Sequence, residues 1–172
     1  MDFNCVSPSS WVSEVSQQER IKTELQQLFD AAHFELPAAV TLTMKKRVGS
    51  RNVDFLAASE NFGHFMNRLN HKILGSAAKL HARRLKTVAV IESSADGRLH
   101  YHAMIDRPCY FSFEKFKGVV TGQWLRTDFG YRHVDIQDAA DAGWTNYMLK
   151  SRQKNSCLLD SIDWNNCHLI AE

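Results

Sequence analysis

Two histidines and a glutamate are spaced so that they could bind one metal ion. His100 and His102 flank Tyr101 in the segment LHYHAMI, whose composition and alternation are typical of a β-strand. Side chains on a strand point alternately to its two faces, so both imidazoles lie on one face and Tyr101 on the other, towards the core. Two imidazoles placed in this way can share a divalent ion. We therefore take both histidines as candidate metal ligands.

A third ligand is expected from the preceding strand, LKTVAVIES, which a tight turn joins to the histidine strand. A two-residue Asp-Gly turn would pair Glu92 with Tyr101, on the wrong face. A three-residue turn, Ala95 to Gly97, pairs Glu92 with His100 and puts the carboxylate among the imidazoles. Glycine at the third position suits the left-handed conformation that this turn requires. The sequence therefore predicts the three-residue turn, with Glu92 as the third ligand.

Tyr147 is the candidate nucleophile, and Lys150 follows it at a spacing that places both on one helix face. A tyrosine oxygen is a weak nucleophile near neutral pH, because its ordinary pKa is about 10. It needs a nearby base, cation or metal-bound phosphate to react. Lys150 could hold the phenol or the phosphate. The pair alone would equally suit a core tyrosine and a solvated lysine, so its weight comes from the histidines.

The elements that must position these residues alternate between helix and strand. Helices are predicted over 13–34, 54–74, 113–125 and 141–150, strands over 38–44, 85–93, 99–105 and 131–137, and a basic loop over 45–52. Asp54 is the expected N-cap of the second helix and Gly75 its stop. This order predicts an α+β fold, an antiparallel sheet of about four to five strands with helices packed on it, of the ferredoxin or RNA-recognition-motif (RRM) type.

The composition is that of a globular protein, with 44% hydrophobic and 23% charged residues among 172. No apolar run could span a bilayer, and the N-terminus has no basic signal region, so a cytoplasmic location is expected. The four scattered cysteines form no C-x-x-C pair, which argues against a structural zinc knuckle and a disulfide framework.

The charge is unevenly distributed along the chain. Residues 37–154 carry 19 bases and 10 acids, whereas residues 1–36 and 155–172 are net acidic. We interpret residues 1–36 as an N-terminal helical extension, 37–154 as the main domain and 155–172 as a tail packing on it. A basic middle favours a polyanionic partner.

Basic residues near the site are candidate phosphate contacts, which would make binding sensitive to salt. Those placed closest by the sequence are Lys45, Lys46, Arg47, Arg51, Arg152 and Lys154. A second group precedes the strand at 85–93: Lys79, His81, Arg83, Arg84 and Lys86.

Several other residues have less specific expectations. Three aromatic residues could stack on bases, although core or rim positions are the expected interpretation: Trp124, Phe129 and Tyr131. His133 and Asp135 alternate on the last strand and could support the site. Cys167 and His168 are interpreted as structural, since no partner spacing supports them as ligands.

Three motifs, taken in order, resemble those of the HUH-type endonucleases, and most closely the single-tyrosine replication initiators (Rep proteins) of small circular single-stranded DNA replicons. These are the hydrophobic strand at 40–43, the His-x-His strand at 100–102 with an acidic ligand on the strand before it, and the Tyr-x-x-Lys motif at 147–150. They cover residues 38–150. Relaxases of the same superfamily place the nucleophile before the histidines, so the order found here favours an initiator or a related transposase.

The resemblance implies that residues 37–154 are an HUH endonuclease domain that nicks and rejoins single-stranded DNA and so initiates rolling-circle replication. One divalent ion, Mg²⁺ or Mn²⁺, would polarise the scissile phosphate. Attack by Tyr147 would leave a 5′-phosphotyrosine link and a free 3′-OH. The implied partners are single-stranded DNA with an origin stem-loop and, because the sequence has no Walker A motif, a host helicase, unless the chain is a fragment. The implied location is the cytoplasm of a bacterial host.

Two alternatives remain open on the sequence. A Y1-type transposase shares the chemistry and differs in recognising hairpins at element ends. A non-catalytic RRM-like module would bind nucleic acid without an ion, but such modules usually show an aromatic-rich strand where this sequence has two histidines. Metal binding would separate the second alternative from the other two hypotheses.

Overall fold

The computed structural model describes residues 8–150 and 158–170, with only the backbone described for 8–16 and 142. Helices are α1 (Pro8–Ala31), α2 (Phe55–Leu74), α3 (Ser76–His81), α4 (Phe113–Trp124) and α5 (Ala142–Met148). Strands are β1 (Pro37–Met44), β2 (Arg47–Val48), β3 (Arg51–Asn52), β4 (Thr87–Ser93), β5 (Leu99–Asp106) and β6 (Gly130–Asp138). Two 3₁₀ turns follow, Leu158–Ser161 and Trp164–Asn166.

The main sheet has four strands in the order β4-β5-β1-β6, and each pair is antiparallel. Its four long strands and the helices between them follow the β-α-β-β-α-β order of the ferredoxin-like fold. The predicted α+β class is therefore confirmed, with the lower of the two expected strand numbers.

Both faces of the sheet are covered, which gives the domain two apolar clusters. On one face, α2 and α4 bury Phe62, Phe65 and Trp124 against the strands. On the other face, α1, α5 and the first 3₁₀ turn form a smaller cluster that includes Phe29 and Met148. Because both faces are covered, β1 and β4 are apolar along nearly their whole length rather than alternating.

Helix α2 begins and ends where the sequence predicts. The Asp54 side chain accepts a hydrogen bond from the Ala57 N–H at 2.8 Å, as an N-cap does. Gly75 follows the last helical residue with φ of 57°, a conformation that glycine adopts without strain. This helix is the main support of the sheet opposite the candidate ligands.

Three expectations were wrong in detail. The basic segment at 45–52 is a two-stranded hairpin of β2 and β3, too short for any periodic signal. Helix α1 covers 8–31 rather than 13–34, and His33 beyond it has a positive φ of 46° that a helix cannot continue. Helix α3 was not predicted, because its six residues carry too few apolar positions to show a period.

The described part of the tail lies along the edge strand β4. The backbone N–H of Asp163 donates to the Ala89 oxygen at 2.9 Å, and His168 exchanges backbone hydrogen bonds with Thr87. The tail thus covers an edge that would otherwise present unpaired backbone groups. Among the described residues, no helix combines the length and the apolar composition that crossing a bilayer demands.

Candidate active site

The hairpin between β4 and β5 has the three-residue turn expected from the sequence. The Ser94 N–H donates to the Arg98 oxygen at 2.9 Å, and Gly97 has a φ of 74°. Glu92 lies directly opposite His100 in this register. The prediction that places the carboxylate on the face of the imidazoles is confirmed.

Two threonines of β1 orient the two imidazoles. Nδ1 of His102 lies 3.2 Å from Oγ1 of Thr41, and Nδ1 of His100 lies 3.2 Å from Oγ1 of Thr43. Each contact engages Nδ1 and so leaves Nε2 as the ring nitrogen for a further ligand. Hydrogen bonds of this kind fix the ring orientation of metal-binding histidines in other proteins. Sequence reasoning did not single out the threonines, although their parity on the neighbouring strand was visible.

Glu92 contacts His102 directly. Its Oε2 lies 2.9 Å from Nε2 of His102, and both side chains are largely buried. Among residues 8–150 and 158–170, no three His, Cys, Asp or Glu side chains converge closely enough to hold a metal ion as they stand. The structure therefore joins two of the three predicted ligands, with His100 on the neighbouring position of the same face.

Burial has opposite effects on the two middle residues of β5. It lowers the pKa of His100 below the usual histidine value, against the opposing pull of the Glu92 carboxylate. It raises the pKa of Tyr101, whose hydroxyl donates to the Asp163 carboxylate at 2.7 Å on the other face of the sheet. The expectation that Tyr101 points into the core is confirmed, since the side chain is fully buried.

Tyr147 lies beside the histidines rather than in the core. Its ring meets the His102 ring edge-on, with 5.1 Å between centroids, and the residue is 41% exposed. Trp144 stacks on the other side of Tyr147 at 5.3 Å and donates from its indole nitrogen to the Ala103 oxygen at 3.2 Å. Because Ala103 belongs to β5, this hydrogen bond ties α5 to the histidine strand.

Lys150 contacts Tyr147 in a different way from the one expected. Helix α5 ends at Met148, so Lys150 lies beyond it and not on a shared helix face. Its Nζ lies 4.5 Å from the centroid of the Tyr147 ring, a cation–π contact. The ammonium group is thus held at the candidate nucleophile, above the ring.

A comparison with protein-family models gives one match, to the ORF2-type family of replication-associated proteins, over residues 37–156. The chain belongs to this family. The match covers most of the chain and includes every candidate site residue, so the resemblance to Rep-type replication initiators is confirmed at the level of the family. No curated protein and no solved structure matches the chain.

The basic residues of this Rep-family protein that follow β1 lie on the β2–β3 hairpin, where they are largely solvated. Nζ of Lys46 contacts the Asp96 carboxylate at 3.2 Å, and Arg47 donates to the Gly49 oxygen. Arg51 lies over the Phe129 ring at 5.6 Å. The hairpin is therefore docked against the turn that carries the candidate ligands. Two further predicted contacts, Arg152 and Lys154, lie outside the described residues.

The predicted stacking residues of the Rep-family protein separate into two groups. Trp124 and Phe129 are buried in the core and cannot meet a base, which agrees with the core interpretation. Tyr131 is half-buried on the edge strand β6, under the guanidinium of Arg98 at 4.8 Å. Asp135, on the same strand, lies opposite Thr41 in the sheet register.

Proposed function

We propose that this replication initiator nicks single-stranded DNA through a covalent link to Tyr147. The observation that carries the proposal is the 5.1 Å edge-on contact between the rings of Tyr147 and His102, which puts a solvent-accessible phenol beside the candidate ligands. In the reaction, the Tyr147 oxygen forms a bond to the scissile phosphorus and the bond to the 3′ oxygen breaks. The phenolic proton passes to the 3′ oxygen, which leaves a 5′-phosphotyrosine and a free 3′-OH.

The donor set fits a divalent cation. Glu92 offers a carboxylate oxygen and His102 an imidazole nitrogen 2.9 Å apart. Two neighbouring ligands of an octahedral ion are about 3 Å apart, since bonds of about 2.1 Å meet at right angles. Binding by His100 as well requires a side-chain movement, because no three described donors converge as they stand. Such an ion, Mg²⁺ or Mn²⁺, would supply charge stabilisation at the scissile phosphate.

Lys150 has a supporting role in this proposal. An ammonium group 4.5 Å from the phenol ring favours the phenolate that forms as the proton leaves. The bases of the β2–β3 hairpin would bind the phosphates of the incoming strand near the β4–β5 turn. Those contacts are proposals of the same kind, because they are ionic and independent of the base sequence.

The test is cleavage of a pool of labelled single-stranded oligonucleotides with Mn²⁺, read as a covalent protein–DNA band. Tyr147→Phe should abolish the band, as should EDTA. Tyr110→Phe is the matched control, since Tyr110 is 68% exposed and lies away from the histidines. A band that persists in Tyr147→Phe would exclude this nucleophile.

Metal binding is tested separately by calorimetry with Mn²⁺ alone. His102→Ala should weaken binding at least about tenfold, and Thr41→Val about 10–100-fold, because the threonine holds Nδ1 of His102. His64→Ala, an exposed histidine of α2, should change nothing. Equal losses in His102→Ala and His64→Ala would point to a non-catalytic module with adventitious metal binding.

A further inference from the structure

The sequence carries no acidic residue between Glu60 and Glu92. That stretch contains six lysines and arginines and three histidines, and it forms most of α2, all of α3 and the start of β4. A merely solubilising surface usually mixes both signs of charge. The layer formed by α2 and α3 is therefore positively charged without local compensation.

The basic residues of α2 form one solvent-facing stripe. Four of them follow one another at helical spacing and all are exposed or partly exposed: His64, Arg68, His71 and Lys72. The opposite side of the helix packs on the sheet through residues that include Phe62, Phe65 and Leu69. The stripe is thus the outer surface of the helical layer.

Two adjoining clefts run along this stripe, and we call them together the basic groove. Their volumes are about 310 and 440 Å³, and they share Arg68, His71 and Arg126 as lining residues. Lys72 and Lys79 complete the basic lining, and Asp128 is the one acid that lines either cleft.

The cations of the groove are not consumed by internal ion pairs. In the described ranges, the ion pairs formed within 4 Å involve none of Arg68, Lys72, Lys79 and Arg126. Asp128 itself is 4.0 Å from Arg51 of the β2–β3 hairpin. The groove therefore presents four fixed positive charges to a ligand.

The groove is separate from the candidate active site. Helix α2 packs on the sheet face that carries Tyr101, whereas His100 and His102 point to the opposite face. A helix of about 10 Å diameter and the sheet lie between the two places. The β2–β3 hairpin bridges them, since Lys46 contacts Asp96 of the turn and Lys45 donates to the Asp128 oxygen at 3.0 Å.

We propose that the basic groove binds the phosphate backbone of duplex DNA. The stripe from residue 64 to residue 72 is about 12 Å long, at about 1.5 Å per residue. A duplex presents one charge per about 1.7 Å of axis, so this length faces several phosphates. None of the residues lining the two clefts is Phe, Tyr or Trp, and single-strand sites depend on aromatic stacking. The inference goes beyond the proposed nicking reaction and takes from the family only that the polyanion is DNA.

The test measures binding against salt for a labelled duplex of about 14 base pairs and an unstructured oligothymidine of about 12 nucleotides, lengths that exceed the stripe at about 3.4 Å per base pair. The protein carries Tyr147→Phe, so the result does not depend on whether it nicks. The triple variant Arg68→Gln/Lys72→Gln/Arg126→Gln should lower the slope of log affinity against log salt for the duplex by about 2.7, at about 0.9 per phosphate contact. The matched control, Arg20→Gln/Lys115→Gln/Lys117→Gln, removes the same charge from α1 and α4.

The expected result is a large effect of the groove triple on the duplex, with little effect on the oligothymidine and little effect of the control triple. An equal loss for both variants would show that net charge alone is responsible and would overturn the proposal. An equal or larger loss for oligothymidine would overturn it too, because the groove would then belong to the single-strand path. Circular dichroism and the melting temperature verify that both variants are folded.

Discussion

The hydroxyl of Tyr101 is the link through which the tail supports the histidine strand, and its removal has a calculable cost. The Asp163 carboxylate accepts from Tyr101 at 2.7 Å, from Ser59 at 2.9 Å and from the Asn166 side chain at 2.7 Å. Tyr101→Phe keeps the ring, which stacks on Phe62 at 4.2 Å, and deletes only the hydroxyl. The substitution therefore isolates one buried hydrogen bond to a carboxylate.

The expected cost of Tyr101→Phe is about 2 kcal/mol of unfolding free energy, because a hydrogen bond to a charged group contributes about 1.5–3 kcal/mol. For a chain of this size, that corresponds to a fall in melting temperature of about 4–8 °C. Asp163→Ala should cost more, since it leaves three donors without their acceptor. Urea titration of the two single variants and the double variant gives the coupling energy between them.

The same hydrogen bond predicts a pH dependence. Burial raises the pKa of Tyr101, so the unfolded chain loses this proton near a pH of about 10 while the folded chain retains it. Above that pH the folded state binds more protons, and the unfolding free energy falls as the pH rises, by up to about 1.4 kcal/mol per pH unit. The stability that wild type has over Tyr101→Phe is thus full below a pH of about 10 and is lost above it. A difference that stays constant from about pH 8 to about pH 11, or a melting temperature unchanged by the substitution, would refute the reasoning.

Three further predictions concern the packing of the fold. Gly130→Ala should lower stability by about 1–3 kcal/mol, because its Cβ would overlap the backbone oxygen at the end of α4, whereas Gly118→Ala meets open space and should be neutral or stabilising by melting temperature. Cys167 should react slowly with iodoacetamide at about pH 8, since burial raises its pKa to about 11, while the exposed Cys109 should react fast in the same mass-spectrometric experiment. Asp54→Ala should cost about 1 kcal/mol in urea denaturation through the lost N-cap, and Asp54→Asn much less.

The sequence predicted those features that depend on local periodicity and turn chemistry. Gly97 fixed the length of the turn, the turn fixed the register, and the register placed Glu92 opposite His100. Asp54 and Gly75 fixed the bounds of α2 in the same way. In each case a single residue has one conformation or one hydrogen bond that its neighbours cannot replace.

Features that depend on distant contacts could not be predicted in this way. Lys150 lies over the Tyr147 ring because α5 stops at Met148, and the helical spacing of the sequence suggested a longer helix. The contact of Asp163 with Tyr101 joins residues 62 positions apart, and no spacing rule connects them. The Nδ1 contacts of Thr41 and Thr43 required the pairing of β1 with β5, which the order of elements alone does not determine.

The position of the candidate active site follows from unequal coverage of one sheet face. Near the start of β4, Val88 and Val90 are fully buried under α1, α5 and the tail. Two residues further along the same strand, Glu92 is partly exposed. The histidines therefore lie at the boundary between a dry apolar layer and solvent, with Tyr147 at the end of α5 on the same boundary. Burial on one side holds the imidazoles in place, and the open side admits a DNA strand, so the length of α5 determines how much of the face remains for chemistry.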